Sequence, residues 1–354
     1  VRIGLQLGYW GAAPPDGAGK LVVEAERAGF DGVFAAESWG SDAFTPLAWW
    51  GASTSRVRLG TSVAQLSARS PASCAMHALT LDHLSGGRCV LGLGVSGPQV
   101  VEGWYGAPFG KPLARTREYV SIVRQVLARE QPVRNDGPHY PLPATGPGTL
   151  GLGKPLRPIT HPLRADLPIW LGAEGPRNVA QTAEIADGWI AVYFSPRVAP
   201  LYEQWLDDGF ARPGARRDRA EFEVAATCPV VVTDDPVAEK AKVKPSLALY
   251  IGGMGAAKMN FHADLFRRMG YPEAVEEITA HFLAGRRERA VAAVPDELVD
   301  DVSIIGDREQ VRAGVRAWRE AGVDTLLVGC RDVAQLRAVA DAVLGAQDDA
   351  LPSG

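Results

Sequence analysis

The chain has 354 residues, with 37 basic side chains against 41 acidic ones and a formal net charge of −4. The two signs are mixed along it, which argues against nucleic acid or an anionic membrane as partner. No apolar run approaches the roughly 18 residues of a membrane span, and a chain this long buries about three-quarters of its surface without covalent staples.

In chain order, Arg2–Leu7 reads as a strand, with Tyr9 and Trp10 at its exit, and Gly17–Ala28 as the helix that follows. Gly32–Ala36 is the second strand, leading to Glu37-Ser38-Trp39 and a helix at Thr45–Thr54. Val57–Ser62 and Arg88–Leu93 are the third and fourth strands, separated by a helix at Pro71–Leu84. The fourth is the most telling: an apolar run buried on both faces empties into Gly94-Val-Ser-Gly97, where glycines let a ligand approach the backbone. Gln99, Glu102, Trp104 and Tyr105 follow, then a helix at Arg115–Ala128.

Four further strands are expected at Pro168–Gly172, Gly188–Phe194, Phe222–Val232 and Thr325–Gly329, with helices at Pro176–Ala186, Val198–Gly209 and Val333–Leu344. Ala25-Glu-Arg-Ala-Gly-Phe-Asp-Gly-Val33 joins a helix end to a glycine cap and a strand, and Trp318–Leu326 repeats the form. Strands alternating with helices imply a parallel sheet, and eight such units close into an α/β (β/α)8 TIM barrel. The length exceeds the roughly 250 residues of such a barrel. The excess is placed in two insertions of a single domain, 1–354: a proline- and glycine-rich excursion near 132–168 and extra helix near 240–292. Arg286–Arg289, in the second, reads as a solvated helix face or, less simply, an anion site.

Barrel enzymes keep their chemistry at strand exits on the C-terminal face. Glu37 is the best candidate there for handling a proton, its rival reading being a salt-bridged loop carboxylate. Trp10, Trp39 and Trp104 would wall an apolar substrate pocket or simply pack. Gly172-Ala-Glu-Gly-Pro-Arg-Asn178 opens a helix whose free N–H groups suit an anion, and a capped turn equally well. His77 and His83 lack one-face metal spacing, and Cys74, Cys89, Cys228 and Cys330 lack CxxC spacing, so no metal is expected and the thiols read as reduced. With a strand at its first residues the chain is expected to lack a signal peptide and to be cytoplasmic.

Gly29-Phe-Asp-Gly-Val33, Gly60-Thr-Ser-Val63, Ala68-Arg-Ser-Pro71, Leu81-Asp-His-Leu-Ser-Gly-Gly-Arg88, Gly92–Pro98 and Lys111-Pro-Leu-Ala-Arg-Thr-Arg-Glu-Tyr119 are weak motifs singly and specific in this order. On them the chain resembles the bacterial-luciferase-like superfamily, in its coenzyme F420-dependent oxidoreductase branch and an actinobacterial subgroup of it. The resemblance implies a homodimer and a cis peptide at Ser62-Val63 behind a deazaflavin ring, where the residues alone suggest an ordinary trans strand end. It implies a cofactor site of Ser62, Val63, Gly94, Ser96, Gly97, Ala173, Glu174, Gly175, Pro176, Arg177 and Asn178, with the phosphate near Glu174–Asn178. Glu37, Ser38 and Glu102 are then the catalytic candidates, and Tyr9, Trp10, Trp39, Gln99, Trp104 and Tyr105 the substrate-side ones.

Sugar-phosphate dehydrogenases of the group carry Asp-His where this chain has Glu37-Ser38, and a catalytic Glu where it has Ser96-Gly97. Reduction of an activated C=C, C=N or carbonyl group of a small substrate is therefore favoured over alcohol oxidation. An FMN-dependent monooxygenase and a non-catalytic flavin-binding paralogue are the alternatives.

Overall fold

A ring of parallel strands surrounds two stacked aromatic side chains in the computed structural model, which describes residues 1–255 and 260–345. The strands are β1 (Arg2–Gly8), β2 (Gly32–Ala35), β3 (Arg58–Thr61), β4 (Ala64–Gln65), β5 (Cys89–Gly94), β6 (Ile169–Gly172), β7 (Gly188–Ala191), β8 (Glu223–Thr227), β9 (Val230–Val232), β10 (Ile304–Gly306) and β11 (Thr325–Val328). The main sheet runs β3-β2-β1-β11-β8-β7-β6-β5-β4, and pairing of β3 with β5 closes it. This is the expected (β/α)8 barrel, with β4 as a two-residue extension beyond the Ser62–Val63 peptide, which is cis.

Each expected strand is present, and the seven expected helices stand within a few residues of their predicted bounds. Proline supplies the first turn of several: Pro71 opens one helix, with the Ser70 hydroxyl accepting from the Ser73 amide at 3.3 Å. One strand needs correction. Phe222–Val232 is two strands, because Pro229 has no N–H to continue the barrel ladder. β8 stays in the barrel, while β9 pairs with β10 in a separate parallel sheet. The helix Arg308–Glu320, with an Asp307–Gln310 capping box, was not among the expected seven.

Phe34, Val90, Trp170, Ile190, Ala225 and Leu327 fill the barrel interior, with the Phe34 and Trp170 rings stacked at 5.7 Å. Facing strands make room with glycine. A Cβ on Gly60 would lie 2.2 Å from Phe34 Cε1, and one on Gly188 2.6 Å from Trp170 Cδ1. Below the rings Arg58 closes the N-terminal end, bonding both Glu223 carboxylate oxygens at 2.9 and 3.0 Å and pairing with Asp31. Its guanidinium stands 5.1 Å from the Trp170 ring centroid.

The 132–168 excursion holds one isolated bridge, Asn135 to Leu142, and is moored to the barrel by Arg164 on Asp82 and by the His161 carbonyl on His83. The second insertion is longer than expected. Helices Pro236–Gly252, Phe261–Arg268, Pro272–Leu283, Arg287–Ala292 and Asp296–Val302 run from 236 to 302, with residues 256–259 outside the described set. Its buried side chains, among them Leu247, Ile251, Phe266 and Ile278, join the same hydrophobic cluster as the barrel's outer layer. In the basic run Arg287 lies over the Phe282 ring and Arg286 bonds His281. Among the described residues no helix is long and apolar enough to cross a membrane.

Gly60→Ala should destabilise the fold by about 1–3 kcal/mol through overpacking against a ring that Trp170 already backs. A urea titration should show a lower midpoint at unchanged slope; an unchanged midpoint would mean that the interior relaxes around the methyl group.

Candidate functional site

The C-terminal strand exits form the mouth of the barrel. At the β2 exit Glu37 is buried and its carboxylate is fully engaged. Oε1 accepts from the Gln65 amide at 2.6 Å and Arg69 Nη1 at 2.9 Å; Oε2 accepts from Arg69 Nη2 at 3.0 Å and the Ala43 amide at 3.3 Å. The expected proton handler is thus the salt-bridged carboxylate of the rival reading. Four donors hold its charge in place, and removing one partner of such a buried pair commonly costs about 3–5 kcal/mol.

Glu102 also departs from expectation: it is exposed, and its Oε1 accepts from the Phe109 amide at 3.3 Å, bracing its own loop. Trp39 and Trp104 are 52% and 62% exposed, and Trp10 packs its ring 6.0 Å from Trp50, so the three tryptophans do not converge on a pocket. Gln99 is exposed and Ser38 half-buried. Tyr105 stands closer in, its phenol pKa raised by burial and then by the Glu37 charge.

Around the cis peptide, Gly94 and Gly172 lie under Val63: a Cβ on either would meet a Val63 methyl, at 2.4 and 3.1 Å. Gln6 donates from Nε2 to Ser62 Oγ at 3.2 Å, and Gln65 Nε2 to the Glu37 carbonyl at 3.0 Å. The Oε1 atoms of Gln6 and Gln65 are buried and have no donor. Ser96 holds a positive φ of 61° before Gly97.

After β6, Ala173 is buried, its carbonyl accepting from Trp189 Nε1 at 2.9 Å. Helix Pro176–Ile185 begins at Gly175 with no side-chain cap, leaving first-turn N–H groups free. Arg177 is exposed and makes no ion pair among the described residues; Asn178 is half-buried. Glu174, expected near the phosphate, is bonded to the second insertion: its Oε1 meets His262 Nδ1 at 2.7 Å, while Oε2 is buried without a partner.

His262 belongs to the second insertion, as does Tyr250. The Tyr250 ring lies 4.8 Å from the His262 ring, and its hydroxyl 3.5 Å from that of Tyr9 at the β1 exit. Tyr193, beyond β7, meets Tyr250 at 5.6 Å, His262 at 5.9 Å and Phe266 at 4.8 Å. Expected residues from opposite sides of the mouth, Tyr9 and Glu174, are therefore linked by two residues not singled out from the sequence. Tyr193 stood in an expected strand; Tyr250 and His262 lay in the expected extra helix of the second insertion, with no local signal of their own. Burial works to lower the His262 pKa, but the Glu174 charge and hydrogen bond outweigh it and hold it above the ordinary value. Among the described residues no group of three or more His, Cys, Asp or Glu side chains is placed to hold a metal.

The model of the luciferase-like monooxygenase family matches residues 3–325. A Mycobacterium tuberculosis protein provisionally named a coenzyme F420-dependent oxidoreductase is 64% identical over 340 residues, covering 96% of this chain and 98% of its own length. The 5,10-methylenetetrahydromethanopterin reductase of Archaeoglobus fulgidus is 27% identical over 306 residues, 86% of each chain. The solved structure of the coenzyme F420-dependent tetrahydromethanopterin reductase from Methanopyrus kandleri superposes with a TM-score of 0.80 at 22% identity, over 98% of this chain and 99% of that one. The chain belongs to the luciferase-like monooxygenase family and is an oxidoreductase.

Proposed function

We propose that the protein is an F420-dependent reductase of small organic substrates bearing an activated C=C, C=N or carbonyl group. The observation that carries this is the 64% identity, along nearly the whole chain, to a relative named for F420. The barrel mouth fits such a cofactor. Gln6 Oε1 and Gln65 Oε1 are buried acceptors in want of an N–H donor, which the pyrimidine edge of a deazaflavin carries. The open first turn at Gly175–Asn178 suits its phosphate.

When bound, the reduced deazaflavin supplies a hydride. Ser62 and Val63 would back its ring, with Gly94, Ser96 and Gly97 at the border. Gly175, Pro176, Arg177 and Asn178 hold the phosphate, with Ala173 packing beneath. Glu37 is assigned a positioning role, fixing the turn that carries Ser38 and the Gln65 amide. Tyr9 and Tyr105 stand on the substrate side. The four cysteines are unpaired thiols, which suits a cytoplasmic enzyme.

Titration of the purified chain with F420 and with FMN, followed by absorbance, checks the cofactor. F420 should saturate at least tenfold more tightly; tighter FMN binding would favour a flavin monooxygenase instead. Arg177→Ala should weaken F420 binding by about 1–3 kcal/mol, with the loss shrinking as salt is raised. An unchanged dissociation constant would leave the phosphate to the backbone donors alone.

The homodimer has a candidate face. Trp49, on helix Phe44–Gly51, and Met76 and Leu84, on helix Pro71–Ser85, are exposed large apolar side chains on neighbouring helices, and Leu163 of the excursion is a fourth. Sedimentation should show a dimer for the native chain and a monomer for Met76→Asp with Leu84→Asp; a native monomer would remove the proposal.

A further inference from the structure

We propose that His262, held by Glu174, is the acid that gives the substrate its proton at this site, an assignment that rests on the reductase reading above. Among the described residues the pair is an ionisable couple in the mouth that is incompletely bonded. Glu37 has four donors, whereas Glu174 has one oxygen on His262 Nδ1 and a second that is buried and unpartnered, its side chain only 10% exposed. With Nδ1 turned to the carboxylate, Nε2 is the ring nitrogen left without a hydrogen bond among the described residues. A histidine in this arrangement keeps its second proton, because a neighbouring carboxylate stabilises the imidazolium.

The surroundings suit a donor to an uncharged substrate. Tyr9 and Tyr250 stand together with their hydroxyls 3.5 Å apart, and Tyr193 closes the side beyond β7. Burial, first, and then neighbouring hydroxyls raise the pKa of Tyr193 and Tyr250, so both stay neutral. Of the charged groups on the His262 helix, Asp264 and Arg267 pair with each other at 2.8 Å in solvent, and Arg268 in the last turn is exposed. His262, bonded to Glu174, is therefore the imidazole about which this cluster is built.

With a reduced deazaflavin bound, the hydride it supplies would form the new C–H bond at the carbonyl carbon or, in an enone, at the β-carbon. The π electron pair moves to oxygen, or through the enolate to the α-carbon. His262 Nε2 gives its proton to that atom and is left as neutral imidazole, recharged from water. The products are the alcohol or the saturated ketone and the oxidised deazaflavin.

The test begins on the chain without cofactor, by nitrogen-15 NMR titration of the six histidines. The resonance absent from His262→Gln should titrate above the ordinary histidine value, and below it in Glu174→Gln, where burial is unopposed. A wild-type His262 that titrates at or below the ordinary value would overturn the proposal, and so would one indifferent to Glu174→Gln. Should Glu174→Gln fail to fold, the wild-type titration decides by itself.

Single-turnover oxidation of reduced F420 by cyclohex-2-enone gives the second arm. The rate should fall as pH rises through the His262 pKa, since the acid must carry its proton. His262→Gln should be slower by about 10²–10⁴-fold and lose that limb, with F420 affinity unchanged. Equal rates in wild type and variant would overturn the proton role and leave the reductase reading standing. A wild-type chain that fails to bind F420 would instead overturn the reductase reading and this proposal with it. If F420 binds but the enone is not reduced, the NMR titration is decisive.

Discussion

The stacking of Phe34 on Trp170 inside the ring of strands is the contact on which the rest of the architecture depends. Two large rings fit there only because the facing positions, Gly60 and Gly188 among them, carry no side chain. The packed interior makes the barrel a solid support rather than a channel. Arg58, bonded to Glu223 and Asp31, seals the end beneath the rings and leaves the C-terminal end as the place where strand exits can gather functional groups.

The protein's buried charges differ in how fully they are bonded, and that difference separates support from site. Asp187 accepts from Arg124, Arg216, Arg217 and the Ile169 amide, tying the starts of β6 and β7 to the loops beside them. Glu37 is held as completely by Arg69, Gln65 and Ala43. Such groups have no capacity left for a ligand, and moving their protons would undo the packing around them. Gln6 within β1, Gln65 at the end of β4 and Glu174 beyond β6 each retain one buried oxygen without a donor. These three unfilled acceptors give the mouth hydrogen-bonding capacity for a bound molecule.

The second insertion brings Tyr250 and His262 to the strand exits, where they meet Tyr9 and Glu174. Its helices bury Leu247, Ile251 and Phe266 in the barrel's outer cluster, which fixes where Tyr250 and His262 stand. Asn260 helps set that geometry: its side chain caps the His262 helix at the Ala263 amide and donates to the carbonyls of Tyr250 and Ile251. Helix capping, core burial and the aromatic cluster thus act on one short segment.

The sequence alone determined the parts governed by local periodicity: eight apolar strands, their order, the helices between them and the polar or small residues at each exit, hence the barrel and its functional end. It also carried, through motifs from Gly29 to Tyr119, the membership and the cofactor class of the relatives. Tertiary structure decided which exit residues act together. Sequence left Glu37 between a proton handler and a salt-bridged carboxylate, because Arg69, 32 residues later, is brought to it only by the fold. Trp39 and Trp104 read as pocket walls because exposure is not a local property. His262 was invisible because it lies 88 residues from Glu174. A hydrogen bond across that separation leaves no period in the chain, and only the closed barrel with its insertion folded over the mouth brings the two together.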